Sequence, residues 1–148
     1  MRKFPAFIVV AFFASALAAC ATSSSVAGRG GDLVGVWKVE LFCDKDESTG
    51  AFSERFGHDP IGYFVYTPTG HVTIQIMAKP DAQGHGEYIG YFGTYTVDAA
   101  HSTVVHHVEG GTLPDYIASD QVRKYRLTGD TLSIGLEPLP CRVLRKVG

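Results

Sequence analysis

The chain has 148 residues, room for one domain and a short extra segment, and its 45% hydrophobic and 19% charged content is ordinary for a globular protein. Formal charge is −2, and cleavage before Cys20 would remove Arg2 and Lys3, leaving 11 basic residues against 15 acidic ones, a net −4. Composition excludes a disordered or polytopic chain, and with no basic stripe no nucleic-acid partner is expected.

Arg2 and Lys3 precede an apolar run from Phe4 to Ala18 that ends in small residues, the layout of a secretory signal peptide over 1–19. The run is too short and wrongly flanked for a good membrane span. Leu17-Ala18-Ala19-Cys20 resembles the lipobox of bacterial lipoproteins, in which the cysteine thiol receives a diacylglyceryl group before cleavage. That resemblance implies lipidation at Cys20 and a membrane anchor of several acyl chains, each buried methylene contributing about 0.8 kcal/mol. The alternative is an ordinary cut near Ala19 or Ala21, with Cys20 incidental. Ala21 in place of Asp favours, by resemblance to Gram-negative lipoproteins, the outer membrane, so the expected location is the cell envelope, facing the periplasm. Residues 20–31 are mostly Ala, Ser, Thr and Gly and read as a flexible tether.

With Cys20 assigned to lipid, Cys43 and Cys141 remain in a compartment where disulfides persist, and a bond between them is the natural expectation. Two free, buried thiols are the alternative.

From Asp32 to Gly148 short runs rich in Val, Ile, Tyr, Phe and Thr alternate with turn residues, and nothing keeps helical periodicity for three turns. The runs are 34–43, 61–67, 71–78, 90–98, 103–109, 121–128, 131–136 and 141–147, spaced as an all-β antiparallel meander. Thr67-Pro68-Thr69-Gly70 and Thr128-Gly129-Asp130-Thr131 have hairpin chemistry, and 98–103 is a looser join. Turns set register. Pairing Tyr66 with His71 aligns Val65 with Val72, Tyr63 with Ile74 and Ile61 with Ile76, which predicts an inward Tyr63 and an outward Phe64 and Tyr66. Pairing Val97 with Val104 sets Tyr95 beside His106; pairing Leu127 with Leu132 sets Tyr125 beside Ile134 and Arg123 beside Leu136. Lys124, Arg126, Thr94, Thr96 and Asp98 fall on the solvent side. A Cys43–Cys141 bond puts Val39 opposite Arg145 and Trp37 opposite Val147, so the first strand meets the last. The expected fold is a single eight-stranded up-and-down barrel, whose interior holds side chains or one small ligand.

The order of Leu33-Val34-Gly35-Val36-Trp37, Asp59-Pro60-Ile61-Gly62-Tyr63, Tyr66-Thr67-Pro68-Thr69-Gly70, Tyr91-Phe92-Gly93-Thr94-Tyr95, Val105-His106-His107-Val108-Glu109-Gly110 and Asp120-Gln121-Val122-Arg123 resembles the bacterial lipocalin-like domain family over nearly all of 32–148. The resemblance implies a calycin-type barrel. Gly35-x-Trp37 is similar to the Gly-x-Trp of lipocalins, whose Trp packs at the barrel floor under a basic residue of the last strand, here Arg145, or Arg142 if the register slips. Where many relatives carry a helical insert, 80–87 is short and Gly-rich, so no helical lid is implied. No catalytic residue set is shared across the family, and none is carried over.

Neighbours on a strand face opposite sides, so His106 and His107 cannot ligate one metal. Parity with Val104 and Val108 puts His106 inside, either as a satisfied cavity histidine or as a general acid or base. Arg123 shares a face with Tyr125 and Leu127; it is either paired internally or a cation that orients an acidic ligand group. Tyr63, Tyr91, Tyr95 and Tyr125 would give aromatic walls with polar tips. His58, His71, His85 and His101 fall in turns and loops and are read as exposed. With no HExxH, CxxC, phosphate loop or nucleophile elbow, no cofactor or metal is expected. The resulting expectation is a lipid-anchored binder of a small, largely apolar or amphipathic ligand held by Tyr63, Tyr91, Tyr95, His106, Arg123 and Tyr125. The alternatives are an isomerase or cyclase using His106 and Tyr95, or an envelope docking module with a filled core and an outward Phe64 and Tyr66.

Overall fold

Three tight turns gather at one end of the chain's sheet, and longer connections gather at the other. The structure is a computed structural model and describes residues 32–46, 48–135 and 141–148. The segments expected to be a signal peptide and a tether, Cys20, and the Leu136 expected beside Arg123 lie outside these residues. Ten strands follow in chain order: β1 Gly35–Phe42, β2 Asp44–Lys45, β3 Phe52–Ser53, β4 Ile61–Tyr66, β5 His71–Met77, β6 Tyr88–Asp98, β7 Thr103–Gly111, β8 Asp120–Thr128, β9 Thr131–Gly135 and β10 Arg142–Val147. Eight of them close into an antiparallel barrel in the order β1-β10-β9-β8-β7-β6-β5-β4, with β4 pairing back onto β1. Closure satisfies every edge that an open sheet would leave bare. The β2–β3 hairpin, which the sequence pattern did not predict, stands apart from the barrel wall.

Two hairpins form in the expected register. Val97 pairs with Val104 and Tyr95 with His106, while Leu127 pairs with Leu132 and Tyr125 with Ile134. The second of these turns needs Gly129 at φ +55, the positive φ that a two-residue loop demands at its first central position.

The first hairpin is displaced by one residue. The Thr67 N–H donates to the His71 carbonyl at 2.9 Å, so the loop has three residues, Pro68-Thr69-Gly70, with Gly70 at φ +83. A three-residue loop ending in a left-handed glycine is a stable hairpin type in its own right. Tyr66 therefore faces Val72, Phe64 faces Ile74 and Gly62 faces Ile76. Since side chains alternate, the slip turns the whole strand over. Phe64 and Tyr66 are buried, and Ile61 and Tyr63 look out at 45% and 44% exposure. This corrects both the inward Tyr63 and the outward Phe64 and Tyr66.

Cys43 and Cys141 are joined by a disulfide with Cα atoms 5.3 Å apart. The β1–β10 register expected from it fails beyond Leu41, because a bulge between Val39 and Leu41 shifts the pairing. Val39 consequently opposes Leu144, and Trp37 opposes Lys146. Arg145 points outward and pairs with Glu40 at 2.7 Å. The basic group over Trp37 is Lys146, its Nζ 5.3 Å from the ring, and Arg142 instead stacks on Phe42 at 4.3 Å. Trp37 itself is fully buried, as expected of a floor residue, and its indole N–H donates to the Leu33 carbonyl at 2.8 Å.

The floor half of the barrel is filled by buried side chains. Leu33, Trp37, Val39, Val104, Leu132 and Leu144 fill it, and the Tyr66 and Tyr95 rings meet edge to face at 5.0 Å above them. Toward the opposite end the packing opens.

Candidate functional site

The open end is where the long connections return. The segment after β1 folds back so that Phe56 is buried edge-on against Phe42 at 5.3 Å. Its neighbour Arg55 reaches across to Glu87 in the β5–β6 loop, with Nε donating at 2.7 Å. A 3-10 turn at Pro114–Tyr116 brings Tyr116 over the rim. Between these pieces and the barrel wall lies a narrow cleft with an interior of about 40 Å³ that opens directly to solvent. Its sides are apolar, formed by Phe42, Phe64, Ile74, Ile76, Ile89, Leu113 and Ile134. Tyr91, His106, Tyr116 and Arg123, with Arg55, Asp44 and Arg142 at the rim, supply the polar groups.

The cleft ends on a chain of three side chains from three strands. Tyr66 Oη lies 2.9 Å from His106 Nε2, and Tyr91 Oη lies 2.8 Å from His106 Nδ1. Burial holds the imidazole neutral, pulling its pKa from 6.5 down to about 3, with the Arg123 and His107 charges acting in the same direction. Burial also raises both tyrosines, Tyr66 well above the ordinary value and Tyr91 to about 12, Arg123 partly opposing the rise at Tyr91. All three groups are therefore uncharged at neutral pH.

Neutrality fixes the direction of the bonds. A neutral imidazole has one N–H and one lone pair. Tyr66 is 1% exposed and its hydroxyl has His106 as its sole partner among the described residues. A buried hydroxyl proton left unbonded is costly, so Tyr66 donates to Nε2. Nδ1–H then donates to Tyr91, and the tautomer follows from the network. The Tyr91 proton remains free, on a residue that lines the cleft. His106 thus orients a donor and has no free nitrogen with which to act as a base.

Arg123 is 9% exposed. Its guanidinium donates to the Val122 carbonyl at 3.0 Å, to Gln121 Oε1 at 2.8 Å and to Tyr116 Oη at 3.5 Å, all neutral acceptors. Among the described residues no carboxylate pairs with it. The rim arginines differ, since Arg142 holds Asp44 at 2.6 Å and Arg55 holds Glu87 while lying 3.9 Å from Asp44.

Of the residues singled out in the sequence, the fold brings Tyr91, His106 and Arg123 to one cleft. Tyr95 points inward but lies deeper, its hydroxyl donating to the Thr67 carbonyl at 3.0 Å, so it and His106 do not share an open cavity. Tyr125 is half-buried against the core near the floor and Tyr63 is outside. The sequence reading missed Tyr66, Tyr116, Arg55 and the Arg142–Asp44 pair. The last was within reach, because Asp44 and Arg142 each follow a cysteine of the disulfide. No group of three His, Cys, Asp or Glu residues among the described ones is placed to hold a metal ion.

A model of the lipocalin-like domain family matches residues 80–140, which carry β6 to β9. That stretch supplies Tyr91, His106, Tyr116 and Arg123. No curated protein matches the chain.

Proposed function

We propose that the protein binds a small, largely apolar ligand in the open half of the barrel. The observation that carries this reading is the asymmetry of the interior. One half is filled by buried side chains, while the other is a cleft with apolar sides lined by Tyr91, whose hydroxyl proton is free, and by a buried Arg123 with no carboxylate partner among the described residues. Apolar walls with a few placed polar groups are the ordinary composition of small-molecule sites. Burial of ligand area at about 25 cal/mol per Å² drives binding, and the polar groups set orientation. The barrel and the similarity of 80–140 to the lipocalin-like family support ligand binding in general.

Export as a lipoprotein belongs to the same proposal. Cys20 carries the acyl chains, 20–31 tethers the domain, and the envelope, on the outer-membrane side, is the compartment. The Leu17-Ala18-Ala19-Cys20 pattern supports this, and the Cys43–Cys141 disulfide fits an oxidising compartment.

Native mass spectrometry of the protein purified from a lipid-containing host tests both parts. The expected spectrum shows a chain beginning at an acylated Cys20 and carrying one small-molecule adduct. Bare protein in every charge state would count against the binder, and an unmodified Cys20 against the anchor.

A further inference from the structure

We infer that the cleft selects an amphipathic monoanion, with the carboxylate of its ligand seated on Arg123 and hydrogen-bonded by the Tyr91 hydroxyl. This rests on the ligand-binding reading above and names the chemistry of the polar end.

A guanidinium withdrawn from water keeps a large desolvation cost unless an anion offsets it. Among the described residues Arg123 has only amide, carbonyl and phenol oxygens around it, and neutral acceptors return part of that cost. The free enthalpy of pairing is left to whatever enters the cleft. Tyr91 adds a second donor, because in the tautomer that the buried Tyr66 hydroxyl imposes His106 faces it with N–H, and no other acceptor among the described residues bonds its hydroxyl. Two donors of different kinds on one wall suit the two oxygens of a carboxylate.

Charge counting at the mouth sets the valence. Arg55, Arg123 and Arg142 face Asp44 and Glu87, and both carboxylates are taken by Arg55 and Arg142. Among the described residues one positive charge is left over, that of Arg123, and it is the most buried. A single negative charge neutralises the site, whereas a dianion would bring a second charge with no buried partner. Beside Tyr91 the wall continues along β5 and β6 as Ile74, Ile76 and Ile89, so the rest of the ligand is apolar.

Isothermal titration of the full chain carrying Cys20→Ser, with no acyl chain to compete, compares octanoate with 1-octanol at pH 7. The expected result is binding of octanoate at least about tenfold tighter than octanol, the usual worth of a charge-assisted hydrogen bond in a dry site. Arg123→Gln should remove that preference while octanol binds as before, and Arg123→Lys should restore part of it. Equal binding of acid and alcohol by the unsubstituted cleft would overturn the anion site and leave the apolar binder standing. Binding of neither would bring down both. The comparison on the unsubstituted cleft decides the matter even if Arg123→Gln fails to fold.

Discussion

Between pH 7 and pH 4 the protein is expected to lose stability through one imidazole. His106 titrates near 6.5 in an unfolded chain and near 3 in the barrel, so over that window the unfolded state binds the extra proton. Stability contributed by the neutral ring is complete above about 6.5, falls as pH drops, and is fully lost below about 3, where both states are charged. The slope is about 1.4 kcal/mol per pH unit through the middle of the window. Among the described residues no nearby carboxylate offsets the imidazolium, and Arg123 adds repulsion. Urea unfolding of the native protein and of His106→Gln across this range separates the effect from carboxylate titrations common to both. The native curve should be steeper by that slope; parallel curves would mean that the ring is charged or solvated in the fold.

Phe64→Ala is expected to cost about 3–5 kcal/mol, and Tyr63→Ala no more than roughly 0.5 kcal/mol. The residues are adjacent, aromatic and similar in size, and only register separates them. Phe64 is 4% exposed against Ile74, while Tyr63 is 44% exposed beside Gln75. Deleting the first leaves a cavity in the cleft wall, and deleting the second leaves water where water already was. Denaturant midpoints of the two variants measure the difference directly. Equal losses, or a larger loss for Tyr63→Ala, would show β4 turned the other way.

That pair also marks how far the sequence could be read. Either parity of 61–66 presents an apolar face, Ile61-Tyr63-Val65 or Phe64-Tyr66, so pattern alone could not choose. Thr67-Pro68-Thr69-Gly70 accommodates a loop of three or four residues, and one backbone bond from Thr67 to His71 decided between them. Where the turn allowed a single solution, as at Gly129-Asp130, Tyr125 and Leu127 were placed correctly. His106 and Arg123 were also placed on the inner face, because their neighbours on β7 and β8 alternate without ambiguity. The bulge near Glu40 had no signature in the sequence, and it moved Arg145 off the floor and Lys146 over Trp37. The rim was the hardest part, since Arg55 meets Glu87 and Tyr116 meets Tyr91 through loops far apart in the chain.

The cleft also explains why His106 is better described as a positioning residue than as an acid or base. Its two nitrogens are bonded to Tyr66 and Tyr91, and the network turns the last hydroxyl toward the cavity. Phe64 and Tyr66, buried in this arrangement, offer no outward surface for docking.

The most direct test is where a ligand sits. With the Cys20→Ser chain methyl-labelled at isoleucine, intermolecular nuclear Overhauser effects from the terminal methyl of octanoate should reach Ile76, Ile89 and Ile134 and miss Ile61. Contacts to Ile61, which is 45% exposed on the outer wall, or to no isoleucine at all, would contradict an interior site.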